Sequence, residues 1–177
     1  MKNTTINSWN QGAEAALYVI NATPCPAVEP NYAEIMPMIQ NRADLLSAWV
    51  RLGSPEDPDI IEAMKQIGVM AMLWIDGDLE NPDYEYIHHI LVRKQRDYGH
   101  GNILRFGLVG VAVRLCDKIA RLENLEKRGR LASNEAYEDT WLDILGYCAI
   151  GVMLEEGWFL LELEEDNPEE DYERETI

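Results

Sequence analysis

Between residues 103 and 128 the apolar side chains recur at three- and four-residue steps: Leu108, Val111, Ala112, Leu115, Ile119 and Leu122. An α-helix turns once every 3.6 residues, so this spacing gathers them on one face and leaves the opposite face polar. The same period predicts helices over 57–75, 81–97 and 133–156. In the first of these Ile61, Met64, Ile67, Ala71 and Trp74 form the stripe, and in the last Tyr137, Trp141, Ile144, Leu145, Cys148 and Val152 do. A further amphipathic segment covers 38–52, and no stretch sustains a two-residue alternation. Such stripes, joined by short turns, leave the water only by packing against one another. The expected fold is therefore all-α, a bundle of four to five helices.

The punctuation agrees with the periodicity. Asp57-Pro58 and Asn81-Pro82 each place a capping side chain before a proline suited to the first helical turn, and Ser133 offers a cap for the last helix. Gly53, Gly99, Gly129 and Gly157 stand where helices are expected to stop. Pro24, Pro26, Pro30 and Pro37 remove backbone donors, which predicts a loop over 22–37. The expected organisation is an N-terminal extension over 1–56 with this loop and one helix, a helical core with the chemistry over 57–161, and an acidic tail over 162–177.

Charge is unevenly distributed. The chain of 177 residues carries a formal charge of −17, yet ten of its fifteen Lys and Arg fall in 81–130 beside only six acids. That segment is net +4 and suits a polyphosphate partner or the acidic surfaces of neighbouring helices. The tail over 162–177 has nine acids against one Arg, which predicts a solvated run. Cys25, Cys116 and Cys148 are odd in number and lack CxxC spacing, so they read as thiols of a reducing compartment. With no apolar leader at the start and no run long enough to span a bilayer, the cytoplasm is the expected location. Strong basicity, CxxC pairs and a P-loop are absent, which ranks duplex nucleic-acid binding, zinc and kinase-like chemistry low.

Three polar clusters interrupt the core pattern. Residues 94–102 bring Lys94, Asp97, Tyr98 and Asn102 together with two glycines at the end of one helix and the opening of the next. Arg114, Asp117 and Arg121 fall at three- and four-residue steps with Lys118 beside them. Glu135, Asp139 and Asp143 fall at steps of four, and Asp143 lies among Trp141, Leu142, Ile144 and Leu145. A buried carboxylate without a partner costs several kcal/mol, so a cation belongs beside Asp143. Two suppliers are open. A hard divalent ion, Mg²⁺ or Mn²⁺, fits oxygen ligands such as Asp117, Asp139 and Asp143. Alternatively Arg114, Lys118 and Arg121 reach across the bundle to Asp139 and Asp143 as internal ion pairs.

The ordered trio KxxDYG at 94–99, RxxDKxxRL at 114–122 and DTWLDxxGY at 139–147 resembles the phage and bacterial nucleotide-modification-associated domain, itself similar to the all-α MazG-like nucleoside triphosphate pyrophosphohydrolases. The likeness spans about 81–158. It implies Mg²⁺-dependent hydrolysis of a (deoxy)nucleoside triphosphate to the monophosphate and pyrophosphate, by a protein that self-associates. Asp117 and Asp143 match acids of the MazG-like metal-binding pairs, whereas Arg114 and Thr140 stand where that pattern has acids. On this reading Asp117, Asp143 and Asp139 hold metal, Asp97 or Asp139 takes a proton from water, and Lys94, Arg114, Lys118 and Arg121 neutralise phosphate charge. Tyr98, Asn102 or a Trp would meet the base. The competing expectation is a catalytically silent helical module that binds a nucleotide or a protein, with the acidic tail as its contact.

Overall fold

The computed structural model describes residues 5–53, 58–128 and 134–164, and the described residues form an all-α bundle with no strand. In chain order the helices are α1 (Trp9–Asn21), α2 (Tyr32–Leu52), α3 (Pro58–Asp76), α4 (Tyr84–Tyr98), α5 (Gly101–Leu104), α6 (Gly107–Arg128) and α7 (Asn134–Glu155), followed by a 3₁₀ turn at Trp158–Leu160. None of these helices is long and apolar enough to cross a membrane.

Helix α7 is the axis of the bundle and packs on α1, α3, α6 and the 3₁₀ turn. From Thr140 to Leu154 no residue of it is exposed, because neighbours cover it on every side. A helix in that position has no wet face to give its polar groups, so each needs an internal partner. Trp141, fully buried, stacks on Trp74 of α3 with ring centroids 4.9 Å apart. Truncating a buried Trp to Ala costs about 3–5 kcal/mol, which puts this stack among the larger single contributions to the fold. The predicted stripe of α6 is buried at Val111, Ala112, Leu115, Ile119 and Leu122, with Leu108 half-buried against the core.

Three expectations need correcting. First, the described part of 1–56 packs into the bundle. Trp9, Ala13, Ala16, Leu17 and Ile20 of α1 and Ile35, Met36, Ile39 and Leu46 of α2 belong to the same continuous core as α3, α6 and α7. Ser8 caps α1 by accepting a hydrogen bond from the Gln11 N–H at 3.2 Å. Two of the five stripe residues of α1 are alanine, which marks a helix by propensity rather than by bulk. Among the described residues the bundle contains six helices of thirteen residues or more. Second, α2 begins at Tyr32, not near 38, with Asn31 accepting from the Glu34 N–H at 3.1 Å, and it carries Pro37 within its length. Third, the helix expected over 103–128 breaks at Gly107, whose φ of 54° ends the single turn α5 and starts α6. Only glycine adopts that conformation without strain.

The helix starts expected at Asp57 and Ser133 and the stop at Gly129 lie outside the described residues, as does 165–177. The first part of the expected tail is docked. The Glu162 backbone carbonyl accepts from the Trp9 N–H at 2.8 Å, and the Glu164 N–H donates to Asn10 Oδ1 at 3.1 Å. His88 Nε2 meets the Asn10 carbonyl at 2.9 Å and His100 Nε2 meets the Leu161 carbonyl at 3.1 Å, so the start of α1, the end of the described chain and α4 are tied together.

Candidate functional site

Where α4, α6 and α7 converge, one face of each is polar. On α4, Leu91, Lys94, Gln95 and Tyr98 share a face, and on α7 Asp143, Gly146, Tyr147 and Ile150 do the same at identical spacing. Arg114 and Lys118 lie one turn apart on α6. Gly146 permits the approach of α4: a Cβ there would lie 3.0 Å from Leu91 Cδ2. These faces line a cavity of about 260 Å³, to whose wall Trp9 of α1 and Asn102 and Ile103 of α5 also contribute.

Its centre is an ion triad. Lys118 Nζ donates to Asp143 Oδ2 at 2.7 Å, and Lys94 Nζ donates to Asp143 Oδ1. Burial alone pushes the Asp143 carboxyl up, but hydrogen bonds from Lys118 and Lys94 and their charges overcome it and hold the group below the ordinary carboxylate range. Asp143 is thus an anion fixed between two ammonium groups that come from two other helices. Arg114 adds a third positive charge to the wall, with no carboxylate partner among the described residues.

The cavity contains Lys94, Tyr98, Asn102, Arg114, Lys118 and Asp143, six of the residues singled out in the sequence. Asp97, Asp117, Arg121 and Asp139 are exposed and do not line it. On α6 the inward polar edge is Arg114 with Lys118, a step of four, while the steps through Asp117 and Arg121 lead out to solvent. On α7 cover begins at Thr140, which leaves Asp139 outside and Asp143, one turn on, within. The cation beside Asp143 is lysine, and of the expected ion pairs Lys118–Asp143 is present, with Lys94 as a partner not foreseen for it.

Asp143 is the sole carboxylate among the described lining residues, and both its oxygens are engaged by ammonium groups. Among the described residues no three His, Cys, Asp or Glu side chains gather closely enough to hold an ion.

Trp9 and Gln95, which also line the cavity, were not among the residues singled out in the sequence. Gln95 sits beside Lys94 in the polar cluster at 94–102, so its step of four to Gly99 and of three to Tyr98 was visible, but nothing near residue 9 pointed to the site. No family model, curated protein or solved structure matches this chain.

Proposed function

We propose that this chain binds a nucleoside triphosphate in the cavity between α4, α6 and α7, with the phosphates against Lys94, Arg114 and Lys118. The observation that carries the reading is the charge of the lining: three cations against one carboxylate, in a chain of net −17. A strongly acidic protein that concentrates positive charge in a half-enclosed recess is suited to an anion, because cations held in low dielectric attract one far more strongly than the same charges on an open surface. Asp143 keeps Lys94 and Lys118 in position, and an arriving phosphate competes with it for their N–H donors. Titration calorimetry with each NTP and dNTP tests the reading. Micromolar binding that weakens at least tenfold in Lys118→Ala supports it, and no heat with any of them removes it.

Hydrolysis to the monophosphate and pyrophosphate is the second reading, supported by the sequence resemblance and by the Asp143 carboxylate within the same cavity. A carboxylate held below its ordinary range is a weak base, and it becomes available only once phosphates draw the two lysines away. Pyrophosphate release from each triphosphate with Mg²⁺ or Mn²⁺ present is the direct assay. Self-association is supported by Phe106, Val109 and Val113, which lie exposed on successive turns at and after the start of α6, and sedimentation at micromolar concentration checks it.

A further inference from the structure

The last described residues of the chain are fastened beside the cavity. The Glu162 carbonyl accepts from the N–H of Trp9, which lines the cavity, and the Leu161 carbonyl meets Nε2 of His100, the residue before the turn α5 that brings Asn102 and Ile103 to the wall. Glu164 is held in the same way, its N–H donating to Asn10 Oδ1 at 3.1 Å and its Oε1 accepting from Gln11 Nε2 at 3.4 Å. The thirteen residues that follow, 165–177, carry seven acids against the single cation Arg174. At about 3.3 Å of reach per residue, half of that length already spans about 20 Å from Glu164. The cations are open to such a segment. Side-chain exposure is 40% for Lys94 and 25% for Lys118, and Asp143 answers only part of the positive charge that they and Arg114 set into the wall.

We infer that the segment 165–177 is an internal competitor for the cavity, its carboxylates resting against Lys94, Arg114 and Lys118 until an outside anion displaces them. The inference rests on the reading of the cavity as an anion site and adds to it how that site is regulated. A tethered segment meets its target at an effective concentration on the order of millimolar, so carboxylates that bind weakly as a free peptide compete well when fixed beside the site. Opposite charge supplies the attraction, which is strongest where the cations are partly withdrawn from water and from salt. A triphosphate offers several charged acceptor oxygens on one compact group, whereas the segment spreads its carboxylates along a chain, so the triphosphate wins the exchange at sufficient concentration. The competition raises the threshold for every outside anion, and the weakest binders are lost first.

Carbodiimide coupling on the full chain tests the contact, because it joins a carboxylate to an amine only where the two touch. Peptide mapping is expected to find 165–177 joined to Lys94 or Lys118, at a yield independent of protein concentration and suppressed by inorganic triphosphate. Coupling of the segment to Lys2, Lys65 or Lys127 alone, or to no lysine, overturns the inference. Calorimetry with inorganic triphosphate tests the competition. A full-length variant with every Asp and Glu of 165–177 changed to its amide should bind it about tenfold more tightly than the parent. Tighter binding by the variant without coupling to Lys94 or Lys118 in the parent would mean that the segment acts only through its distant field, and coupling with equal, measurable affinity in the two proteins would mean that it does not compete. Either result overturns the proposal. Equal affinity with no coupling does so too, while leaving the anion reading intact. Coupling in the parent with no triphosphate bound by either protein keeps the segment as the occupant of the cavity and removes the phosphate reading instead.

Discussion

Asp143 and Asp76 are both partly buried carboxylates on long helices, and the protein treats them in opposite ways. Asp143 lies in the middle of α7, and burial, which pushes its carboxyl up, is outweighed by Lys118 and Lys94. Asp76 is the last residue of α3, where the negative end of the helix dipole is already unfavourable to an anion. Burial pushes its carboxyl up too, and nearby Asp83 and Asp78 add to that, while the Asp83 N–H, 3.3 Å from Oδ1, pulls it partly back. Its Oδ2 is buried with no partner among the described residues. The same residue type is therefore a stabilising anion in one place and a costly one in the other, and the difference is made by which charges the neighbouring helices bring.

Removing both cations gives the largest expected effect. Lys94→Met with Lys118→Met keeps the aliphatic stems and strands Asp143. Breaking a buried pair from one side costs about 3–5 kcal/mol, and with Asp143 still 20% exposed a loss of about 2–3 kcal/mol in urea unfolding at pH 7 is expected. A double variant as stable as the parent would mean the triad contributes nothing to the fold.

Asp143→Asn should cost less, about 1–2 kcal/mol, since one amide oxygen still accepts from a lysine and the freed ammonium groups reach water. The sign of its pH dependence is fixed by the direction of the shift. A carboxyl held below its unfolded value contributes stability that is complete above about pH 3.9 and is lost as the pH falls through the lower folded value. The gap between Asp143→Asn and parent should hold steady from pH 7 to about 5 and close in stronger acid. A gap that widens on acidification would reverse the assignment.

Asp76→Asn sharpens the contrast from the other side. A carboxyl raised above its unfolded value costs stability at neutral pH, and the cost disappears as the pH falls to about 3.9. The variant keeps an Oδ1 to accept from the Asp83 N–H, so its Tm at pH 7 should equal or exceed the parent's by an amount worth up to about 1 kcal/mol, and the two should converge in acid. Smallest of all, Asp139→Asn and Asp117→Asn change exposed side chains and should stay within about 0.5 kcal/mol of the parent. A strong effect of either on nucleotide binding would bring these residues into the site.

Much of the site was legible in spacing. Lys94 with Tyr98, Arg114 with Lys118 and Asp143 with Tyr147 each stand four apart, so each pair must share a helix face once the helix forms, and the helices themselves followed from the apolar period. The anomaly of Asp143 in an apolar run was equally visible, along with its need for a cation. Which cation answers that need was not, because the choice among Lys94, Arg114, Lys118 and Arg121 depends on the rotation and approach of α4 and α6, which a local pattern does not specify. Gly146 against Leu91 is one contact that sets that approach.

The sequence by itself placed the long helices of 58–128 and 134–155, since helical period and glycines act over distances of a turn or two, although Asp83 rather than Asn81 caps α4 and Gly107 divides the helix expected over 103–128. It also determined that an ion partner was required inside. Tertiary structure alone decided that the first helix belongs to the core, that Trp9 lines the cavity 85 residues in sequence from Lys94, and that Asp139 is exposed while Asp143 is largely covered. Burial is a property of what lies across from a residue, and only the packing of distant segments supplies it.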